Sequence, residues 1–226
     1  SIVPVAAFRT PAIMVSCSFA CTLAFMYLVP QELQRGLGMS STLAGLLMLP
    51  GGIVNAVCTL MAGRLFDRHG ARVLVWIGVV MAAIGGALFF AIGVDSGVVL
   101  FLAAHIIVMV GIPFIQQSAQ SAALKSLPGR MAADGSTILN TMQQVCGAIA
   151  TAVATCLLGL GQTGYAAGGG ANAAQGFVDG SRYGYMFGLV LVAIVLVFSF
   201  MLKGGKEEPK LVPVQVDDGA VESLAV

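Results

Sequence analysis

The 226-residue sequence has few charged side chains. Lysine and arginine number 11 and aspartate and glutamate number 10, together 9% of the chain, whereas a soluble domain carries roughly 25%. So few charges could not cover the surface of a water-soluble globule, and a net charge of +1 provides no basic surface for nucleic acid. Because 58% of the residues are hydrophobic, the composition predicts a membrane protein and excludes a soluble enzyme, a disordered chain and a nucleic-acid binder.

The sequence also lacks a metal-binding or disulfide pattern. Its five cysteines lie inside apolar runs, and none has metal-ligand spacing with a nearby histidine. We therefore interpret them as packing residues. No nucleophile–base pair and no phosphate-binding loop is visible, so the sequence predicts no enzyme, no cofactor and no ATP-driven engine.

Six stretches without charge, each 20 to 44 residues long, divide the chain. A helix needs about 20 apolar residues to cross the hydrocarbon core, where it must satisfy its own backbone hydrogen bonds. The fold class predicted is an all-α membrane protein with one six-helix bundle over residues 1–202. The segment 161–181 contains seven glycines and is predicted to be a loop. The helices are expected near 11–31, 42–62, 73–93, 98–124, 136–160 and 183–202.

Lysine and arginine predict the orientation. With six spans, nine of these residues fall on one side of the membrane and two on the other. This asymmetry predicts that both termini are cytoplasmic. The segment 203–226 mixes proline, glycine and acids without a helical pattern, which is typical of a disordered cytoplasmic tail.

Several amides fall on helix faces at membrane depth, and an amide facing lipid would cost several kcal/mol. On the fifth predicted helix Asn140 and Gln144 share one face with Thr151 and Thr155, and Gln143 borders it. These faces are expected to turn toward a central cavity or, alternatively, to form hydrogen bonds between helices. The candidates for the cavity are Tyr27, Gln34, Asn55, Gln116, Gln117, Asn140, Gln143 and Gln144.

The connection between the second and third predicted helices is the sharpest local signal. A carboxylate just past a helix C-terminus meets the negative end of the helix dipole, so Asp67 needs a cation or a helix N-terminus. Arg64, three residues earlier, can supply the cation, while glycines allow a close approach and a reversal. The segment is interpreted as a compact charged contact, or alternatively as a loop that is simply positive. Its residues are Gly63, Arg64, Asp67, Arg68, Gly70 and Arg72.

This segment, G-R-L-F-D-R-H-G-A-R, resembles the cytoplasmic motif G-x-L-x-D-R-x-G-R-R of the major facilitator superfamily. The segments at 27–34, 49–50 and 135–149 resemble the second half of its fourteen-helix drug:proton antiporters, the EmrB/QacA-like group. The resemblance covers roughly residues 8–200. Ala71 and Ala150 depart from the pattern, which weakens the positive cluster and suggests looser packing.

The resemblance implies the C-terminal bundle of a proton-driven exporter of amphipathic compounds, built from two inverted three-helix repeats. Its implied partners are the bilayer, an N-terminal half, small-molecule cargo and protons, and its implied location is a bacterial inner membrane. Two alternatives stay open: a non-transporting sensor or assembly module, and a facilitator for another solute such as a siderophore or metabolite.

One ionisable side chain, His105, lies well inside a predicted span. Such a group suggests a proton relay, and the alternative is a neutral histidine bonded to a neighbouring helix or placed near the outer interface. No aspartate or glutamate is expected inside a span, so proton-exchanging carboxylates are expected in the N-terminal half.

Overall fold

The computed structural model describes residues 6–93 and 96–202, and the predicted disordered tail lies outside them. Over these residues the chain is all-α, as predicted, with five helices long and apolar enough to cross a membrane. A π-helical turn at Glu32–Gly36 continues the first helix, and a 3-10 turn at Gly129–Met131 precedes the fourth. The helices are α1 (Ala6–Gln31), α2 (Ser41–Ala91), α3 (Val98–Lys125), α4 (Ala132–Ala167) and α5 (Ala173–Ser199).

The prediction that residues 63–72 form a loop is wrong. These residues continue the 51-residue α2, which is interrupted only at Gly70, with φ 77° and ψ 166°. Glycine adopts positive φ at little steric cost, so one residue is enough to redirect the chain. Gly63, also expected to support a reversal, lies in regular helix.

The two parts of α2 run in opposite directions beside α3. In the first part, before Gly70, residues with higher numbers contact residues with higher numbers in α3. In the second part, after Gly70, residues with higher numbers contact residues with lower numbers in α3. The contact pairs are Asn55–Met109, Asp67–Lys125, Gly78–Ile115 and Gly85–Val108. The first part is therefore parallel to α3 and the second antiparallel, so Gly70 turns the chain back on itself.

The predicted loop at 161–181 is also wrong. Helix α4 continues to Ala167, and α5 begins at Ala173 after the Asn172 side chain accepts hydrogen bonds from two backbone N–H groups. Two of the glycines that suggested a loop, Gly161 and Gly180, lie where these helices touch. A Cβ at Gly161 would lie 2.5 Å from Cα of Gly180, so glycine here allows close packing between helices.

Helix α1 forms the centre of the bundle and packs against α3, α4 and α5. Near its end an aromatic cluster joins three helices, with Phe25 from α1, Phe89 from α2 and Tyr185 from α5. The rings of Phe89 and Tyr185 stack with centroids 4.8 Å apart. This packing places Tyr185 beside the π-helical turn that follows α1.

Candidate functional site

The amides of α3 and α4 meet at one point. Gln116 donates from Nε2 to Oε1 of Gln143 at 3.4 Å, and Gln143 donates to the carbonyl of Leu139 at 3.3 Å. Gln143 is buried and Gln116 half-buried. The residue expected to border the polar face of α4 therefore lies within its packed face, where it ties two helices together.

Asn140 and Gln144, by contrast, are exposed. Helix α4 packs against the bundle through a different face. The polar row formed by Asn140, Gln144, Thr151 and Thr155 flanks that packed face, and the five helices do not cover it. A row of large apolar residues, including Val145 and Ile149, is exposed beyond it. The residues of the packed face are Gly135, Leu139, Gln143, Gly147, Ala150, Ala154, Leu158 and Gly161.

The threonines of the polar row already have hydrogen-bond acceptors. Thr151 and Thr155 donate to carbonyls four residues earlier at 3.0 and 2.7 Å, as hydroxyls within membrane helices often do. Among the residues that the structure describes, Asn140 and Gln144 make no side-chain hydrogen bond. These two amides are the groups of the polar row whose hydrogen-bonding capacity remains available.

The other predicted cavity residues are dispersed. Asn55 donates to the carbonyl of Met109 at 3.5 Å, which fits the alternative of hydrogen bonding between helices. Gln34 accepts from the Ser41 hydroxyl at 2.9 Å, beside the link between α1 and α2. Tyr27 and Gln117 are half-buried.

The charged motif is a contact between α2 and α3. Asp67 pairs with Lys125 at 3.0 Å, and not with Arg64 as expected. The Lys125 ammonium also lies 4.4 Å from the ring centroid of Phe66. Arg64, Arg68 and Arg72 are exposed.

His105 is 4% exposed and packs against α2. A Cβ at Gly51 would lie 2.4 Å from its ring, so glycine provides the room. The ring lines a cavity of about 10 Å³ with Leu33 and Met48, roughly the space of one water.

One residue that sequence reasoning missed is Glu32. No carboxylate was expected inside a span, yet Glu32 is 1% exposed and accepts a hydrogen bond from the Tyr185 hydroxyl. Counting gaps between charges treats every acid as the end of a span and cannot detect this. No local signal predicts this burial, because the hydrogen-bond partner of Glu32 comes from α5.

A family model described as the Major Facilitator Superfamily matches residues 1–151. The chain is 36% identical over 205 residues to the lincomycin resistance protein LmrB of Listeria monocytogenes, covering 88% of this chain and 43% of that protein. It is 34% identical over 196 residues to LmrB of Bacillus subtilis, covering 84% and 41%. The multidrug efflux pump LfrA of Mycolicibacterium smegmatis is 24% identical over 130 residues, covering 58% and 26%. The chain spans less than half the length of these relatives.

Proposed function

The chain belongs to the major facilitator superfamily, and from this premise we propose that it is the C-terminal bundle of a proton-coupled exporter. The proposed cargo is drugs or other amphipathic compounds. The relatives named for lincomycin resistance and multidrug efflux support this cargo class. The observation that carries the proposal is the uncovered polar row of α4.

The five long helices make six crossings in this proposal. A straight helix of 51 residues would be about 76 Å long at 1.5 Å per residue, whereas the hydrocarbon core is about 30 Å thick. The reversal at Gly70 divides α2 into two parts of spanning length that lie antiparallel to each other. Helices α1, α3, α4 and α5 supply the other four crossings, and the two sets of three form the inverted repeats.

The orientation in this proposal follows the positive charges. Arg64, Arg68 and Arg72 surround the turn at Gly70, and Lys125 ends α3 beside them. Basic residues concentrate on the cytoplasmic side, so this end of the bundle faces the cytoplasm and both termini lie there. The membrane in this proposal is a bacterial cytoplasmic membrane, which the bacterial origin of the relatives supports.

The uncovered row of α4 supports a cavity with a second wall. Asn140 and Gln144 have no cover from the residues that the structure describes, and exposure to acyl chains would cost several kcal/mol for each amide. The N-terminal half of the transporter supplies the opposite wall. Between the walls the amides are free to bind cargo, while Gln116 and Gln143 hold α3 and α4 together.

Cargo binding is tested by a double change in the full-length transporter. Replacing Asn140 and Gln144 by leucine removes two hydrogen-bonding groups worth about 1–3 kcal/mol together, about 5- to 150-fold in affinity. We expect resistance to lincomycin and to the cationic dye ethidium to fall in a pump-deficient host at equal expression. The matched control changes Val145 and Ile149 to leucine on the adjacent apolar row and keeps resistance. Unchanged resistance in the amide variant would remove these residues from the cargo site.

The Asp67 motif acts in this proposal as a cytoplasmic contact between the two halves in one alternating-access state. The ion pair with Lys125 is exposed at both side chains, so it contributes at most about 1 kcal/mol to stability. Asp67→Asn is therefore expected to leave thermal stability nearly unchanged but to reduce export.

The control for Asp67→Asn is Lys125→Gln, which breaks the same ion pair from the other side. If Asp67 also contacts the N-terminal half, Asp67→Asn lowers export more than Lys125→Gln does. Equal export by both variants, measured as dye efflux at matched expression, would mean that Asp67 acts only within this bundle.

A further inference from the structure

Glu32 is the one buried acidic side chain among the residues that the structure describes. It lies inside the candidate membrane span Ala7–Gly36. An ionised carboxylate at such a position is costly unless it is paired and hydrogen-bonded, and ionisable groups within membranes are commonly functional.

The backbone is built to hold this side chain. Glu32 begins the π-helical turn that ends at Gly36 and follows directly on α1. A Cβ at Gly36 would lie 3.0 Å from Cγ2 of Val178 and 3.2 Å from Cγ of Glu32. Glycine here leaves room for the Glu32 side chain and lets α5 come close.

The partners of Glu32 come from α5. The Tyr185 hydroxyl donates to its Oε2, and Tyr185 is fully buried between Phe25 and Phe89. Ser181, one turn earlier and also fully buried, neighbours the carboxylate, but its hydroxyl donates to the Phe177 carbonyl at 3.0 Å. Tyr185 is neutral, so its hydrogen bond orients the carboxylate without cancelling its charge.

The nearby cation is already engaged elsewhere. Arg182 lies near enough to attract the Glu32 carboxylate. Its guanidinium, however, pairs with Asp179 at 3.2 Å and donates to the Ile92 carbonyl at 3.4 Å. Helices α1, α2 and α5 contact the π turn. The titratable groups near Glu32, which are Asp179, Arg182 and Tyr185, all lie on α5. His105 of α3 lines a separate small cavity.

An open crevice lies next to this cluster, because Arg182 follows Ser181 on α5 and lines it. A crevice of about 570 Å³ opens beside α4 and α5, lined by Asp179 and Arg182 together with Tyr165 and Tyr183. Arg182 thus neighbours the buried carboxylate and also lines the open crevice. The crevice lies at the end of the bundle away from the arginines around Gly70.

We infer that Glu32 exchanges a proton with water in this crevice, and that its charge state is linked to cargo binding. This inference rests on the proposed function. One proton from the crevice converts the carboxylate to a neutral acid, and the same proton returns when the acid ionises. Ionised Glu32 accepts the Tyr185 hydrogen bond and attracts Arg182. Neutral Glu32 loses the attraction to Arg182, and the contact between α1 and α5 therefore weakens.

The first test uses purified full-length transporter in lipid and needs no cargo. Difference infrared spectra after a pH change are expected to show the C=O stretch of a carboxylic acid that is missing in Glu32→Gln. The matched control is Asp134→Asn, an exposed acid in the first turn of α4, which should keep the band. Tyr185→Phe keeps the carboxylate but removes its donor, so the pH midpoint of the band should shift. A band retained in Glu32→Gln, or an unmoved midpoint in Tyr185→Phe, would overturn the inference.

The second test measures the link to cargo. Ethidium affinity of the wild type is expected to change about 5- to 150-fold between acidic and alkaline pH, the usual range for coupled sites, and this change should be smaller in Glu32→Gln. A pH dependence unchanged in Glu32→Gln would overturn the link. If the wild type neither bound nor exported any cargo, the proposed function would fail and this link with it, while the infrared band would still decide whether Glu32 takes up a proton.

Discussion

Gly111→Leu is expected to prevent the full-length protein from accumulating in a folded form. Helices α2 and α3 cross at Gly78 and Gly111 with their backbones in contact. A Cβ at Gly111 would lie 2.6 Å from the backbone nitrogen of Ala82 and 2.7 Å from the carbonyl oxygen of Gly78. Backbone atoms cannot move aside as a flexible side chain can, so the helices would have to separate.

The expected loss is large because close packing holds membrane helices together. Overpacking of a well-packed interior costs about 1–3 kcal/mol or more, out of a total stability of about 5–15 kcal/mol. Leucine adds a branched side chain where even a methyl group does not fit, so we expect a loss of at least about 3 kcal/mol. Gly111→Ala should show a smaller loss in the same direction. The measurement is the folded fraction and the melting temperature of a fluorescent fusion protein by size exclusion.

Gly159→Leu provides the control for this packing argument. Gly159 lies within α4, and a Cβ there would meet nothing within 4 Å. Leucine is a better helix former than glycine, so this variant should fold at least as well as the wild type. A Gly111→Leu protein as stable as Gly159→Leu would show that α2 and α3 do not pack through these glycines.

The helices were predictable because the bilayer limits where charge can lie. Charge-free stretches predicted helical residues in all five long helices and the chain reversal between Gly63 and Arg72. Their limits were less predictable, because glycine has two opposite uses. Gly161 and Gly180 allow two helices to touch, whereas Gly70 turns the chain, and composition alone cannot distinguish these cases.

The candidate site was predictable in part. The spacing of Asn140, Gln144, Thr151 and Thr155 puts them on one side of α4, but whether that side is covered depends on tertiary contacts. The partner of Asp67 is Lys125, 58 residues away, whereas sequence reasoning considered a neighbour on the same helix. Glu32 was missed for a similar reason, since its burial depends on Tyr185 at the far end of the chain.

The reversal at Gly70 leads to the second large effect. With φ 77° and ψ 166°, Gly70 lies in a region that is essentially restricted to glycine, and another residue there costs about 1–3 kcal/mol. Gly70→Ala also favours continuous helix through the turn, which would join the two parts of α2 into one rod too long for the bilayer. We therefore expect a lower melting temperature and less transporter in the membrane.

Gly63→Ala is the matched control, seven residues earlier in the same motif. Gly63 lies in regular helix, and a Cβ added there would meet no other atom within 4 Å, so alanine should stabilise the protein by about 0.5–1 kcal/mol. The two substitutions add the same methyl group to the same charged segment but should move the melting temperature in opposite directions. If both raised it, the backbone at Gly70 would be ordinary helix, and α2 could not make two crossings.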